Sequence, residues 1–212
     1  MKSINWRAVI GFMLLIFGVI FLLQNFEVLP EGGWVWSLPF ILGGVAFLVV
    51  LSKGKQNWWA AIPGVILVFL GIIIALGGLA PDFSDHFGGS IFLFGIGLAF
   101  LIVYLMNVRF WWAIIPMGVM GTLAAVTIFE EVSIIEGGSV FFLGLALTFG
   151  LLAILPTGGA RMHWPWIPAL ALLVLASIVA MDAGDMMAYI LPVALILVGL
   201  YFLSVSLFHK KA

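Results

Sequence analysis

Nine carboxylates, eight Lys or Arg residues and three histidines carry the charge chemistry of this 212-residue chain. The acids fall into four groups: Glu27 with Glu31; Asp82 and Asp85 beside His86; Glu130, Glu131 and Glu136; and Asp182 with Asp185. Converging carboxylates hold hard cations such as Ca²⁺ or Mg²⁺, which prefer oxygen ligands. Asp82, Asp85, Glu131, Glu136, Asp182 and Asp185 are therefore the candidate metal ligands. A simpler reading competes with this one. Glu31, Asp85, Glu136 and Asp185 stand just before expected helices, where negative charge complements the helix dipole. No set of nucleophile, base and orienting group can be assembled. His163 and His209 stand among basic residues, and Gly158-Gly159 lacks the Lys-Ser/Thr of a phosphate loop. With no cysteine there are no disulfides, thiolate metal sites or thiol nucleophiles. The expectation is a chain with no catalytic residues, no enzymatic activity and no cofactor.

The elements that carry these residues follow from composition. Apolar residues make up 65% of the chain and charged residues 8%, against about 25% charged in a soluble domain. Lipid must be the solvent for most of it, and a net charge of −1 gives no bulk attraction for nucleic acid. Eight apolar runs are long enough to cross the bilayer: Trp6–Leu23, Val35–Leu51, Trp58–Leu79, Gly89–Met106, Trp111–Phe129, Ser139–Leu155, Trp164–Met181 and Met187–Phe208. Helices satisfy their own backbone in hydrocarbon, whereas barrel strands would alternate in polarity. The fold class is thus an all-α integral membrane protein of eight transmembrane helices, one domain over residues 1–212. With these boundaries Lys2, Arg7, Lys53, Lys55, Arg109, Arg161, Lys210 and Lys211 all fall on one side, and all nine acids on the other. Basic residues in short loops stay in the cytoplasm, so both termini are expected inside. The run after Lys2 and Arg7 ends in Gln24-Asn25-Phe26 rather than small residues, so it reads as an uncleaved first span.

The chain also repeats. Trp58-Trp59-Ala60-Ala61-Ile62-Pro63 returns as Trp111-Trp112-Ala113-Ile114-Ile115-Pro116 and, more loosely, as Trp164-Pro165-Trp166-Ile167-Pro168. Asn5-Trp6 opens an earlier copy, and Gly88-Gly89-Ser90 matches Gly137-Gly138-Ser139. The expectation is four parallel helical hairpins, over residues 1–53, 54–107, 108–158 and 159–212, in a ring or a row. Gly11 and Gly18, Gly64 and Gly71, Gly118 and Ala125, and Ala169 and Ala176 are each seven apart. That spacing returns to nearly the same helix face and marks a small-residue packing seam, with Phe69 expected on a lipid-facing side. Trp58, Trp59, Trp111, Trp112, Trp164 and Trp166 read as interface anchors at headgroup level. Pro63, Pro116 and Pro168 belong to a first helical turn or to a kink. Thr122, Thr148, Ser177 and Tyr201 are expected to bond backbone carbonyls one turn back.

The segment from Asn5 to Leu51, with Gly11, Gly18, Gln24-Asn25 and the Trp34–Trp36 re-entry, resembles the LiaI/LiaF-like transmembrane region. That region is a two-helix module of small bacterial membrane proteins and cell-envelope stress regulators. The soluble domain that follows it in the regulators is not matched here. The resemblance implies a bacterial cytoplasmic membrane and a role through association, as a scaffold, a stress-regulator partner or an accessory subunit. Its partners would be the lipid bilayer, other membrane proteins or further copies of the chain. A channel or carrier for a neutral or weakly charged solute is the alternative, because the spans hold no ionisable group at hydrocarbon depth.

Overall fold

A computed structural model describes residues 6–26, 33–132, 137–159 and 162–180, without the side chains of residues 6–10, 12, 13 and 16. All regular structure among them is helical: α1 (Trp6–Asn25), α2 (Ser37–Ser52), α3 (Ala61–Leu79), α4 (Pro81–Met106), α5 (Ile114–Val132), α6 (Gly137–Ile154) and α7 (Trp166–Ala180). Short 3₁₀ turns at Gly33–Trp36, Lys55–Ala60 and Trp111–Ala113 lead into α2, α3 and α5. Among the described residues five stretches are long and apolar enough to cross a membrane, Trp34–Ser52, Lys55–Leu79, Pro81–Met106, Trp111–Val132 and Gly137–Ile154, whereas α7 is a shorter apolar helix. The expected eighth span, Met187–Phe208, lies outside the described residues.

Among the described residues, every extensive helix–helix contact joins neighbours in sequence, α2 to α3, α3 to α4 and so on to α7. The described helices therefore form a row. α1 meets α2 and the turn before it through long side chains: Phe17 lies 6.3 Å from Phe40 and 6.2 Å from Trp36, and Trp36 Nε1 donates to Gln24 Oε1 at 2.9 Å.

Small residues set how close the neighbours come. A Cβ on Gly71 would stand 2.9 Å from the Ser37 carbonyl oxygen, and one on Gly44 would stand 2.7 Å from that of Gly64. Between α4 and α5, Gly97 lies over the Met117 carbonyl. Between α5 and α6 the fit is reciprocal, with Gly118 against Thr148 and Gly144 against Thr122. Of the paired small residues in the sequence, Gly64, Gly71 and Gly118 thus lie at helix interfaces, and Ala169 and Ala176 are buried. Ala125 is half-buried. Gly11 and Gly18 have nothing within 4 Å of a Cβ among the described residues.

Two expectations need correction. The acidic segment before Gly89 is not a loop: α4 begins at Pro81, so Asp82, Asp85 and His86 ride on its first turns. Proline at the first helical position gives up a donor that the helix leaves free anyway, and an acid beside it suits the dipole. Ala80 alone reverses the chain between α3 and α4 (φ −144°, ψ 71°), outside the helical region that a following proline disfavours. Second, Phe69 does not simply face lipid, because its ring covers Gly95 on α4 and packs against Phe94.

Leucine at Gly71 must push against the Ser37–Ile41 backbone, which cannot rotate away as a side chain could. Overpacking of this kind costs about 1–3 kcal/mol. Gly71→Leu is expected to lower the melting temperature in detergent, while Ile72→Leu, at an exposed neighbouring position, leaves it near wild type. Equal melting of Gly71→Leu and wild type would remove the backbone contact from the account of this fold.

Candidate functional site

The antiparallel row has two chemically distinct ends. At one end the connections after α2, α4 and α6 meet. Trp58 packs on Phe110 at 4.8 Å and on Trp112 at 6.2 Å, and Trp111 meets Trp164 at 6.5 Å. The Tyr104 hydroxyl donates to the Pro156 carbonyl at 2.8 Å. Gly158, with a left-handed φ of 70°, lets the Arg109 side chain lie against it. Beneath this aromatic layer sits the tightest packing, with Ala61, Val103, Tyr104, Ala113, Ile114 and Leu152 all buried. Lys53, Lys55 and Arg109 are exposed here. Trp58, Trp111 and Trp112 are half-buried and join one hairpin to the next, while Trp59, Trp164 and Trp166 stay exposed. Pro63, Pro116 and Pro168 each occupy the third position of their helix, where no intrahelical donor is lost.

The opposite end carries the described acids. α4 is 26 residues long, about 39 Å at 1.5 Å per residue, against a hydrocarbon core of about 30 Å. We take Gly89–Met106 as its spanning part, which leaves the first two turns protruding. There His86 Nε2 lies 3.4 Å from Glu131 Oε1 on α5, and its Nδ1 is 2.6 Å from the Asp82 carbonyl. The Asp82 carbonyl and then the Glu131 carboxylate raise the His86 pKa above 6.5, with burial opposing weakly. Glu130 and Glu131 occupy the last turn of α5, the negative end of its dipole. The Glu130 carboxylate escapes by lying over Gly137, at the positive end of α6. Among the described residues no three His, Asp or Glu side chains converge in a metal-binding group. Of the candidate ligands, Asp82, Asp85 and Glu131 lie at this end, whereas Glu136, Asp182 and Asp185 lie outside the described residues.

Between the ends, the intramembrane hydroxyls largely turn inward on their own helices. Thr148 donates to the Gly144 carbonyl at 2.8 Å and Ser177 to that of Leu173 at 2.9 Å. Tyr201 is outside the described residues. Thr122 and Thr148 also line a groove of about 460 Å³. It forms because α4 and α6 both pack on α5 without extensive contact with each other. Gly118, Gly121, Thr122 and Ala125 make its floor, spaced to share one helix face. Sequence reading had singled out Gly118, Thr122 and Ala125 separately. Gly121, three residues after Gly118, completes that face and is the signal that links them.

The His86–Glu131 pair gives a pH dependence of definite sign. A raised folded-state pKa contributes stability fully present below 6.5, which is lost as pH rises through the folded value. Wild-type protein is expected to lose thermal stability across that window, and Glu131→Gln to show a smaller loss. Parallel wild-type and Glu131→Gln melting profiles from pH 5 to pH 9 would remove Glu131 from the effect.

Neither a family model, nor a curated protein, nor a solved structure matches the chain.

Proposed function

We propose that this is a non-enzymatic, multi-pass protein of the bacterial cytoplasmic membrane that works by association with other membrane proteins or with its own copies. In this reading it has eight spans in four parallel hairpins, with both termini in the cytoplasm. The observation that carries the reading is the row. Among the described residues, helices whose extensive contacts are all with sequence neighbours leave apolar faces uncovered, a form suited to lateral partners. Exposed Leu38, Leu42, Leu170 and Val174 supply apolar surface there. The repeated Trp-Trp and proline positions at the start of α3 and α5 support repeating hairpins, and the LiaI/LiaF-like resemblance of the first quarter supports an envelope-linked role. The separation of Lys53, Lys55 and Arg109 from Asp82, Asp85, Glu130 and Glu131 supports the orientation.

Purification in a mild detergent that retains native lipid is expected to bring down a membrane protein in fixed ratio, or an oligomer of the chain. A lone monomer, together with solute flux through proteoliposomes, would favour the channel instead. Topology has its own test. Asp85→Cys is expected to react with an impermeant thiol reagent added to intact cells, and Gln56→Cys only after lysis. Both positions are exposed, so labelling of Gln56→Cys in intact cells would reverse the orientation.

A further inference from the structure

We infer that the groove between α4, α5 and α6 holds one acyl chain of a phospholipid whose headgroup carries an amine. Three observations meet there. First, the groove runs lengthwise. Its lining extends along α5 from Met117 to Phe129, a rise of about 18 Å. A volume of about 460 Å³ spread over that length makes a long, narrow apolar channel, a shape that an extended hydrocarbon chain matches.

Second, the floor is built for close apolar contact. Gly121 has nothing within 4 Å of a Cβ position, and Thr122, although 6% exposed, lines the same channel. Phe94, Leu147 and Leu151 form walls that are themselves exposed, so the channel opens sideways, where lipid has access. An unfilled channel would forfeit dispersion contact along its whole lining, and a flexible chain recovers it.

Third, the acidic end selects the headgroup. Phe129 and Val140 are among the lining residues nearest that end. Glu130 follows Phe129 directly, and its carboxylate lies over Gly137, three residues before Val140. Glu131 stands beside it on α5. A headgroup with only a phosphodiester would meet these carboxylates with like charge, whereas an ammonium attached to the phosphate meets them with opposite charge. The inference rests on the membrane setting of the chain and not on the identity of any protein partner.

The test uses the full chain in vesicles of phosphatidylethanolamine and phosphatidylglycerol, with one lipid at a time carrying a photoreactive diazirine near the middle of its acyl chain. Adducts are mapped by mass spectrometry. Thr122 is expected to be labelled, whereas Ala169, equally buried but outside the groove, is not. Phosphatidylethanolamine is expected to label Thr122 more strongly than phosphatidylglycerol. The preference should be about two- to fivefold, the scale of one exposed ion pair, and Glu130→Gln should shrink it. Gly121→Leu fills the floor and should reduce Thr122 labelling to the level of Ala169, while labelling of lipid-facing Leu170 persists. If Gly121→Leu does not fold, Leu147→Trp on the wall carries the same expectation. Equal labelling of Thr122 from the two lipids, or labelling that survives the groove-filling variant, overturns the inference. Neither result depends on whether a partner co-purifies.

Discussion

Backbone-to-backbone approach is the constraint on which the rest of this fold depends. Among hydrocarbon chains, two apolar helices gain nothing by leaving lipid for each other, so association must come from van der Waals fit. Here glycines on one helix lie over carbonyls of its neighbour, Gly71 over Ser37 and Gly44 over Gly64. Such contacts are unforgiving because one partner is main chain. They are also local, since each helix is matched to the helix before it and the helix after it. A row of neighbours follows directly, and so do its open faces.

Polar groups are arranged so that none of this packing has to carry charge. Within the spanning helices, Thr148 and Ser177 bond carbonyls of their own helix, which satisfies them without specifying a neighbour. Charge is confined to the ends, and the two ends are built differently. At the basic end, aromatic rings fill the space between hairpins, and Ala61 and Ala113 are buried in a cluster with Val103, Tyr104, Ile114 and Leu152. At the acidic end the α3–α4 reversal uses a single residue, Ala80, and the charged side chains stay exposed. Glu130 shows how electrostatics and packing combine there. It leaves the negative end of α5 for the positive end of α6, and only glycine at position 137 gives its carboxylate room.

Much of this was legible in the sequence. Apolar length located the described helices, while Pro63, Pro116 and Pro168 were compatible with a first turn or a kink, and the structure puts them in first turns. The seven-residue spacing of small residues pointed at Gly64, Gly71 and Gly118. Other features were hidden. Asp82, Ser84, Asp85 and His86 look like a loop by polarity, and only the Pro81–Asp82 pair announces a helix start. Phe69 was assigned to lipid because bulk and apolarity say nothing about direction, and Gly95 opposite it is what draws the ring in. Gly11 and Gly18 share the seam spacing without a helix against them among the described residues, so spacing marks what a face permits and not what occupies it.

The groove is the clearest case of a feature that emerges between helices. A face of Gly118, Gly121, Thr122 and Ala125 on α5 is narrow enough for α4 and α6 to approach from either side. Yet each is held by its own contacts: α4 by Gly97 on the Met117 carbonyl, and α6 by Thr148 in the notch at Gly118. Both flanking helices are thus fixed at their own edges of that face, and neither can slide across to close the gap without losing a backbone-level contact. The same small residues that draw the helices together therefore leave a channel along the middle of α5. Its walls are side chains such as Phe94, Leu147 and Leu151, carried on helices fixed at those edges, a lining that a flexible chain can follow.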